Sequence, residues 1–525
     1  MSVSLGKESR ISQTVKGPTR IPGGPSLSVT AAPKHLTPHS PLYSEVVVAL
    51  APALDALGGN EDGHVLRTVV IGMQIGGLLD LGQLAASDLF YALLLKDIGA
   101  AGARAQRFHS YGNLSDDMAR MINHADLTDL SQTVPLTAAI LKGRAPLRRR
   151  LRSVSDLVLG SRRQATAVVR AGSRVAASLA LEMGFSHGTA AALRSQTERW
   201  DGRGRPDGLS GEAIPVASRI VAVAEELDLL LSNHTPAAAI TRLELEAGRR
   251  FDPVIVKLAE RLIMRGRLLD QLADDDLEQQ VLDQEPMQRR HVALAGRVDR
   301  LLTGIGRLID SRSSWRTRHT ERVKQLAVGA ALSLPLPHRL GISSRRRLAR
   351  AALLHDVGKI STPVSLHDQP RALTEQQLRE LQGDTKLVDR VLHRVLDLAD
   401  AALVTETFVM GEIHSHDDVH SRPLDLELEG HLMSALVSLA DRFEALLSPR
   451  PQRAGKSAAE ALAVLRQDVE ERLRVYGEDE LVQKYEGVDP WDLALTALEA
   501  YVASPSAASL LVPRKFDADA IVVVD

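Results

Sequence analysis

The sequence predicts an all-α protein built from two related helical bundles, and three observations carry that reading. Of its 525 residues 44% are hydrophobic but only 3% aromatic, so the core has to be made of Ala, Leu and Val, of which Ala and Leu are strong helix formers. From Ser40 onward amphipathic helical patterns succeed one another, interrupted by Gly and Pro clusters. The two halves also repeat the same landmarks in the same order, which points to a duplicated unit.

Composition narrows the range of functions. Lys and Arg number 64 against 66 Asp and Glu, a net charge of -2, so no global field favours a nucleic acid polymer or an anionic membrane. Cysteine is absent, which excludes disulfides, zinc thiolate sites and cysteine nucleophiles and is compatible with a reducing compartment. The longest apolar runs, such as Val46 to Leu50, are too short to span a bilayer. No apolar region follows the basic residues of the first 40 positions. The chain is expected to be soluble and cytoplasmic, with no membrane partner.

Along the chain, residues 1–40 are rich in Ser, Thr, Pro and Gly (Gly17-Pro18, Pro22-Gly23-Gly24-Pro25) and are expected to be disordered. A first helical domain is expected over 41–269, an acidic, Gln-rich linker over 270–290, a second helical domain over 291–505 and a tail over 506–525. In the first domain Tyr91 to Gly99 has the pattern of Ala351 to Gly358 in the second. His64 precedes the one and His319 the other. An acid-bearing helix follows each, Val221 to Glu225 against Val437 to Asp441.

The chemistry lies in the second copy. Arg345 to Gly358 reads as a helix with Leu348, Ala351, Ala352, Leu354 and His355 along one apolar face, ended by glycine. His319 opens another helix, with Val323, Leu326, Ala327 and Ala330 following at helical spacing. Asp441 sits between Leu439 and Phe443 on a third, where a lone ionised carboxylate would be costly. Two imidazoles and two carboxylates converging (His319, His355, Asp356, Asp441) suit a divalent cation. Such a cation supports phosphoester hydrolysis by lowering the pKa of bound water and polarising a phosphoryl oxygen. Lys359 is placed to meet an anionic phosphate. The competing reading is a buried His–Asp pair that only holds helices together, and the ordered set of four residues weighs against it.

These residues resemble a known family. Leu353-Leu354-His355-Asp356-Val357-Gly358-Lys359-Ile360 is similar to the signature of HD-domain metal-dependent phosphohydrolases of the HD-GYP subfamily. The likeness continues through Pro363, Leu373-Thr374-Glu375, Ala440-Asp441-Arg442-Phe443-Glu444-Ala445-Leu446 and Pro449-Arg450-Pro451. In the first copy, Glu198 to Leu209 with Gly211-Glu212 and Ile214-Pro215 resembles the segment that names the subfamily, with Arg205 in place of its tyrosine. The resemblance implies tandem all-helical HD domains, a divalent metal (Fe or Mn, or Mg) and hydrolysis of cyclic di-GMP.

Departures from the family pattern shape the expectation. In the first copy Lys96 stands in place of the HD histidine, Gln196-Thr197 in place of a histidine pair and Glu225 in place of the closing aspartate. This copy is expected to be catalytically dead, with His64 and Asp97 as remnants, because an ammonium repels a metal ion. In the second copy the four core ligands remain, and His414 and Asp384 fall where further ligands are expected. Trp315 replaces an acidic ligand, so one or two ions are expected rather than three. The Arg144 to Arg152 run and Arg345-Arg346-Arg347 read as solvated helix faces, Trp200 and Trp315 as packing residues, and His416 and His420 as loop histidines.

The function expected is a metal-dependent phosphodiesterase acting on cyclic di-GMP or a related nucleotide phosphoester in bacterial second-messenger signalling. Asp356 and Lys359 serve the catalytic step, and the two copies form an intramolecular pseudo-dimer. The alternative is an inactive signalling scaffold that binds a nucleotide or a protein partner.

Overall fold

The computed structural model describes residues 43–99, 161–274, 276–287, 295–310, 318–360, 428–449, 454–476 and 487–512, with Ala138, Thr374 and Tyr485. Among these residues every regular element is helical, apart from an isolated bridge between Ala247 and Phe251. The first copy comprises α1 (Tyr43–Ala49), α2 (Ala51–Gly58), α3 (His64–Leu78), α4 (Gln83–Leu95), α5 (Ser161–Met183), α6 (His187–Ser195), α7 (Val216–Asn233), α8 (Pro236–Glu246) and α9 (Pro253–Met264). Two short helices follow, α10 (Arg267–Leu272) and α11 (Leu277–Asp283). The second copy comprises α12 (Ala295–Asp310), α13 (His319–Leu332), α14 (Ile342–Leu354), α15 (Leu428–Leu447), α16 (Ala458–Tyr476) and α17 (Pro490–Val502).

Local chemistry explains several helix starts. Thr235, Asp252 and Asp489 each accept a backbone N–H of the following turn, and each is followed by proline at the first helical position. That pairing satisfies an otherwise orphaned donor and presets the helical φ. The helices that open with the two histidines use a different device. Asp55 accepts from the Gly63 and Val65 N–H groups at 2.8 Å, and Asp310 accepts from the Thr320 N–H and hydroxyl. Each aspartate lies nine residues ahead of its histidine. The residue preceding each helix, Gly63 or Arg318, is left-handed, with φ of 83° and 57°.

Within each copy the histidine helix is central: α3 packs on α4 and α7, and α13 on α14 and α15. The core is continuous and aliphatic, with Phe90 and Phe443 among its largest fully buried side chains. Small residues let the helices approach. A Cβ on Gly72 would meet the Leu93 side chain at 2.6 Å, and one on Gly304 would meet Met183 Cγ at 2.3 Å. The latter contact joins α12 to α5, where Arg307 also pairs with Glu182 at 2.6 Å.

Part of the acidic stretch 270–290 packs as a helix. Leu277, Val281 and Leu282 fall on one face of α11, Val281 is fully buried, and α11 packs on α3. A three-residue apolar face in a Gln- and Asp-rich stretch is too faint a periodic signal to outweigh its composition. At the other end Leu510 and Ala507 are buried and the Leu510 carbonyl accepts from Arg322 at 2.6 Å, so the first part of the tail belongs to the second copy's packing. No helix among the described residues is long and apolar enough to cross a membrane.

Candidate metal centre

Two helix ends and the body of a third helix bring the second-copy cluster together. His319 is the first residue of α13, His355 follows the last residue of α14, and Asp441 lies on α15. Asp356 leads from α14 into a 3-10 turn, Val357–Ile360, which the fully buried Val357 anchors. Ligand atoms of His319, His355 and Asp356 lie within 4.8 Å of one another. Asp441 Oδ1 closes the set, 3.0 Å from His319 Nε2 and 3.7 Å from His355 Nε2. His319, His355 and Asp356 are all but inaccessible, whereas Asp441 and Lys359 keep 15% and 17% of their side chains exposed and form the open edge.

The other ring nitrogen of each histidine is committed elsewhere. His319 Nδ1 donates to Glu444 Oε2 at 2.6 Å, and His355 Nδ1 donates to the Ala352 carbonyl at 2.8 Å, one of the unpaired carbonyls at the end of α14. Both Nε2 atoms therefore face the cluster, where they could hold a metal ion, and the oxygen acceptor on each Nδ1 fixes tautomer and ring orientation. Glu444 is itself held by Arg322 Nε at 3.1 Å and by the Ser448 hydroxyl at 2.8 Å. The donor set of two imidazoles and two carboxylates fits a divalent ion such as Fe, Mn or Zn.

The electrostatics point the same way. Burial opposes charge on His319, yet Glu444 and Asp441 outweigh it and push its pKa up to about 10. His355 moves in the same direction, against burial, under Asp356 and Asp441. Burial would raise Asp441, but His319 and His355 hold it well below the usual carboxylate range. Glu444, likewise opposed by burial, is held down to about 2 by His319 and Arg322. The carboxylates thus favour a positive charge at the cluster, whether a proton on an imidazole or a bound cation.

Of the residues singled out in the sequence, the structure unites His319, His355, Asp356 and Asp441. It places Lys359 Nζ 2.5 Å from Asp356 Oδ1, against a cluster carboxylate. Asp384, His414, His416, His420, Trp315 and the Arg144 to Arg152 run lie outside the described residues. Arg347 pairs with Glu429 at 2.8 Å, and Arg345 donates to the Leu340 carbonyl. Sequence reasoning missed Glu444 and Arg322. The signal was present in the pairs His-x-x-Arg (His64/Arg67, His319/Arg322) and acid-x-x-acid (Glu225/Asp228, Asp441/Glu444), which recur in both copies.

The first copy reproduces this frame with a different centre. His64 Nδ1 donates to Asp228 at 2.7 Å, and Arg67 holds Asp228 at 2.7 Å, matching His319, Glu444 and Arg322. Lys96 occupies the place of His355. Its fully buried ammonium lies 2.5 Å from Asp97 Oδ2 and 3.7 Å from Glu225 Oε1. Burial favours the neutral amine, but Asp97 and Glu225 override it and raise the lysine pKa. Gln196 donates to the Lys96 carbonyl at 2.8 Å, and Glu198 gathers the 207–208 N–H groups of the following loop.

Comparison with known proteins agrees with this geometry. The HD-domain family profile matches residues 166–255 and 305–473. The chain is 29% identical over 430 residues to a 3'3'-cGAMP-specific phosphodiesterase of Vibrio cholerae, covering 81% of this chain and 91% of that protein. Over a shorter span of 86 residues it is 48% identical to a cyclic di-GMP phosphodiesterase response regulator of Xanthomonas campestris, 15% of this chain and 21% of that one. The crystal structure of a cyclic GMP-AMP-specific phosphodiesterase of V. cholerae superposes with a TM-score of 0.55 at 26% identity, covering 89% of this chain and 99% of the other. A profile that finds both copies and a shared fold along nearly the whole chain lead to one conclusion: the chain belongs to the HD-domain family.

Proposed function

We propose that this HD-domain phosphodiesterase linearises a cyclic dinucleotide at the second-copy cluster, with Fe or Mn held by His319, His355, Asp356 and Asp441. The observation that carries the reading is the convergence of these four ligand groups while both Nδ1 atoms are tied to oxygen acceptors. When bound, the metal supplies Lewis-acid polarisation of a phosphoryl oxygen and a lowered pKa for water.

The chain's own residues do the rest. Glu444 holds the His319 ring in one tautomer, and the Ala352 carbonyl does the same for His355. Lys359 keeps Asp356 oriented and, standing at the open edge of the cluster, is the cation nearest an entering phosphate. His414 and Asp384 would add ligands from the segment between α14 and α15. The contact of α5 with α12 supports packing of the copies as a pseudo-dimer with one working centre. The long alignment with the V. cholerae protein supports a mixed guanine–adenine cyclic dinucleotide as substrate, and the shorter alignments support cyclic di-GMP.

The test supplies purified protein, loaded with Mn(II) or Fe(II), with 3'3'-cGAMP and cyclic di-GMP separately and follows linear product by chromatography. At least one is cut, and the double variant His355→Ala/Asp356→Ala cuts neither. If the metal-loaded wild type leaves both intact, the reading is wrong and a non-catalytic scaffold takes its place.

A further inference from the structure

The first copy keeps more of a metal site than a dead domain needs. His64 is tethered through Nδ1 to Asp228, which Arg67 holds, so its ring has the same orienting support as His319. Its Nε2 is buried and makes no hydrogen bond. Asp97 and Glu225 stand in the places of Asp356 and Asp441, and Asp97 also accepts from Asn60 at 3.2 Å. Two carboxylates thus flank one point, and the group between them is the Lys96 ammonium.

The backbone makes the comparison close. Lys96 follows α4 with φ -51° and ψ -32°, and His355 follows α14 with the same two angles. A histidine fits at position 96 without any change of main chain. The lysine chain reaches both carboxylates and puts its charge between them. Without the ammonium, Asp97 would face Glu225 with no opposing charge between them.

We propose that Lys96 is a built-in replacement for the divalent ion: the first copy is a latent metal site whose cation is covalently part of the chain, so this half of the protein holds its fold without metal. The proposal rests on the reading that the second copy binds metal, and its test has arms that do not depend on hydrolysis of any substrate.

The first arm counts ions. In the His355→Ala/Asp356→Ala background, Lys96→His is expected to raise bound Mn(II) from none to about one per chain, with a thermal midpoint that rises on adding Mn(II). A folded triple variant that takes up no Mn(II) overturns the proposal. The second arm uses the wild-type protein and needs no variant to fold. Hydrogen exchange is followed before and after chelation of Mn-loaded protein. Helices α13 and α15 lose protection, about 100-fold where the ion had been present at about 100 times its Kd, while α3 and α7 do not change. Loss of protection in α3 and α7 alongside the second copy overturns the proposal even if the triple variant is unfolded. Failure of the proposed hydrolysis touches neither arm.

Discussion

Lys96 and His355 close their helices at the same backbone angles, each followed by an aspartate, and each faces an acid on a third helix. One presents an imidazole nitrogen to the cluster and the other a positive charge. Around them the two copies share a frame of Asp55/His64/Arg67/Asp228 against Asp310/His319/Arg322/Glu444.

Glu444 is a positioning residue for the second copy. Glu444→Gln keeps the volume but loses the charge that fixes the His319 tautomer. Metal affinity is expected to fall about 10- to 100-fold, measured by Mn(II) titration. Helical content by circular dichroism stays near that of the wild type. An unchanged Mn(II) Kd would show that Glu444 is packing alone.

Asp228 has the equivalent place in the first copy, where nothing but stability depends on it. Asp228→Ala leaves His64 and Arg67 without their shared acceptor, and breaking a buried pair in this way costs about 3 to 5 kcal/mol. Denaturant unfolding should show that loss, while metal content per folded chain does not change. A drop in metal content at full folding would mean that the two copies share a centre.

Asp55 makes stability pH-dependent. Burial, reinforced by Asp97, raises its carboxyl to about 7 despite the Val65 N–H and the Lys96 charge. Between about pH 4 and 7 the folded state therefore holds a proton that the unfolded state has released. This contribution to stability is full at the acid end and declines as pH rises, by at most about 1.4 kcal/mol per unit. Asp55→Asn removes the proton. Its stability relative to wild type should improve steadily from pH 4 to 7 and level off above, read from urea unfolding across that range. A flat difference would place the Asp55 carboxyl at its ordinary value.

Gly304 tests the contact between the copies. A methyl there would meet Met183 Cγ at 2.3 Å, so Gly304→Ala is expected to cost about 1 to 3 kcal/mol by overpacking. In a Met183→Ala background most of that cost should vanish, because the cavity accepts the methyl. A double-mutant cycle with no coupling would mean that α5 and α12 do not meet at this point in solution.

Much of this was legible in the chain. The all-helical class followed from an Ala, Leu and Val core with few aromatics, and the histidine and aspartate positions stood out because an imidazole or carboxylate inside an apolar stripe demands a partner. Glu444 and Arg322 did not stand out, since on a helix a lone acid or arginine looks like a solvated side chain. Only when α15 lies against α13 does Glu444 become 1% exposed and meet an imidazole 125 residues away. The packing of α11 within the 270–290 stretch was hidden for a related reason. Composition averages over all its residues, while burial of α11 against α3 depends on three of them.

The sequence by itself determined the helical class, the duplication and the four candidate ligands, because those depend on residue type and local spacing. The tertiary structure alone decided which nitrogen of each histidine faces the site, that Lys359 pairs with Asp356 and that Lys96 sits among the carboxylates of the first copy. Those facts depend on distances of a few ångströms between segments far apart in the chain, and electrostatic and hydrogen-bond energies turn on such distances.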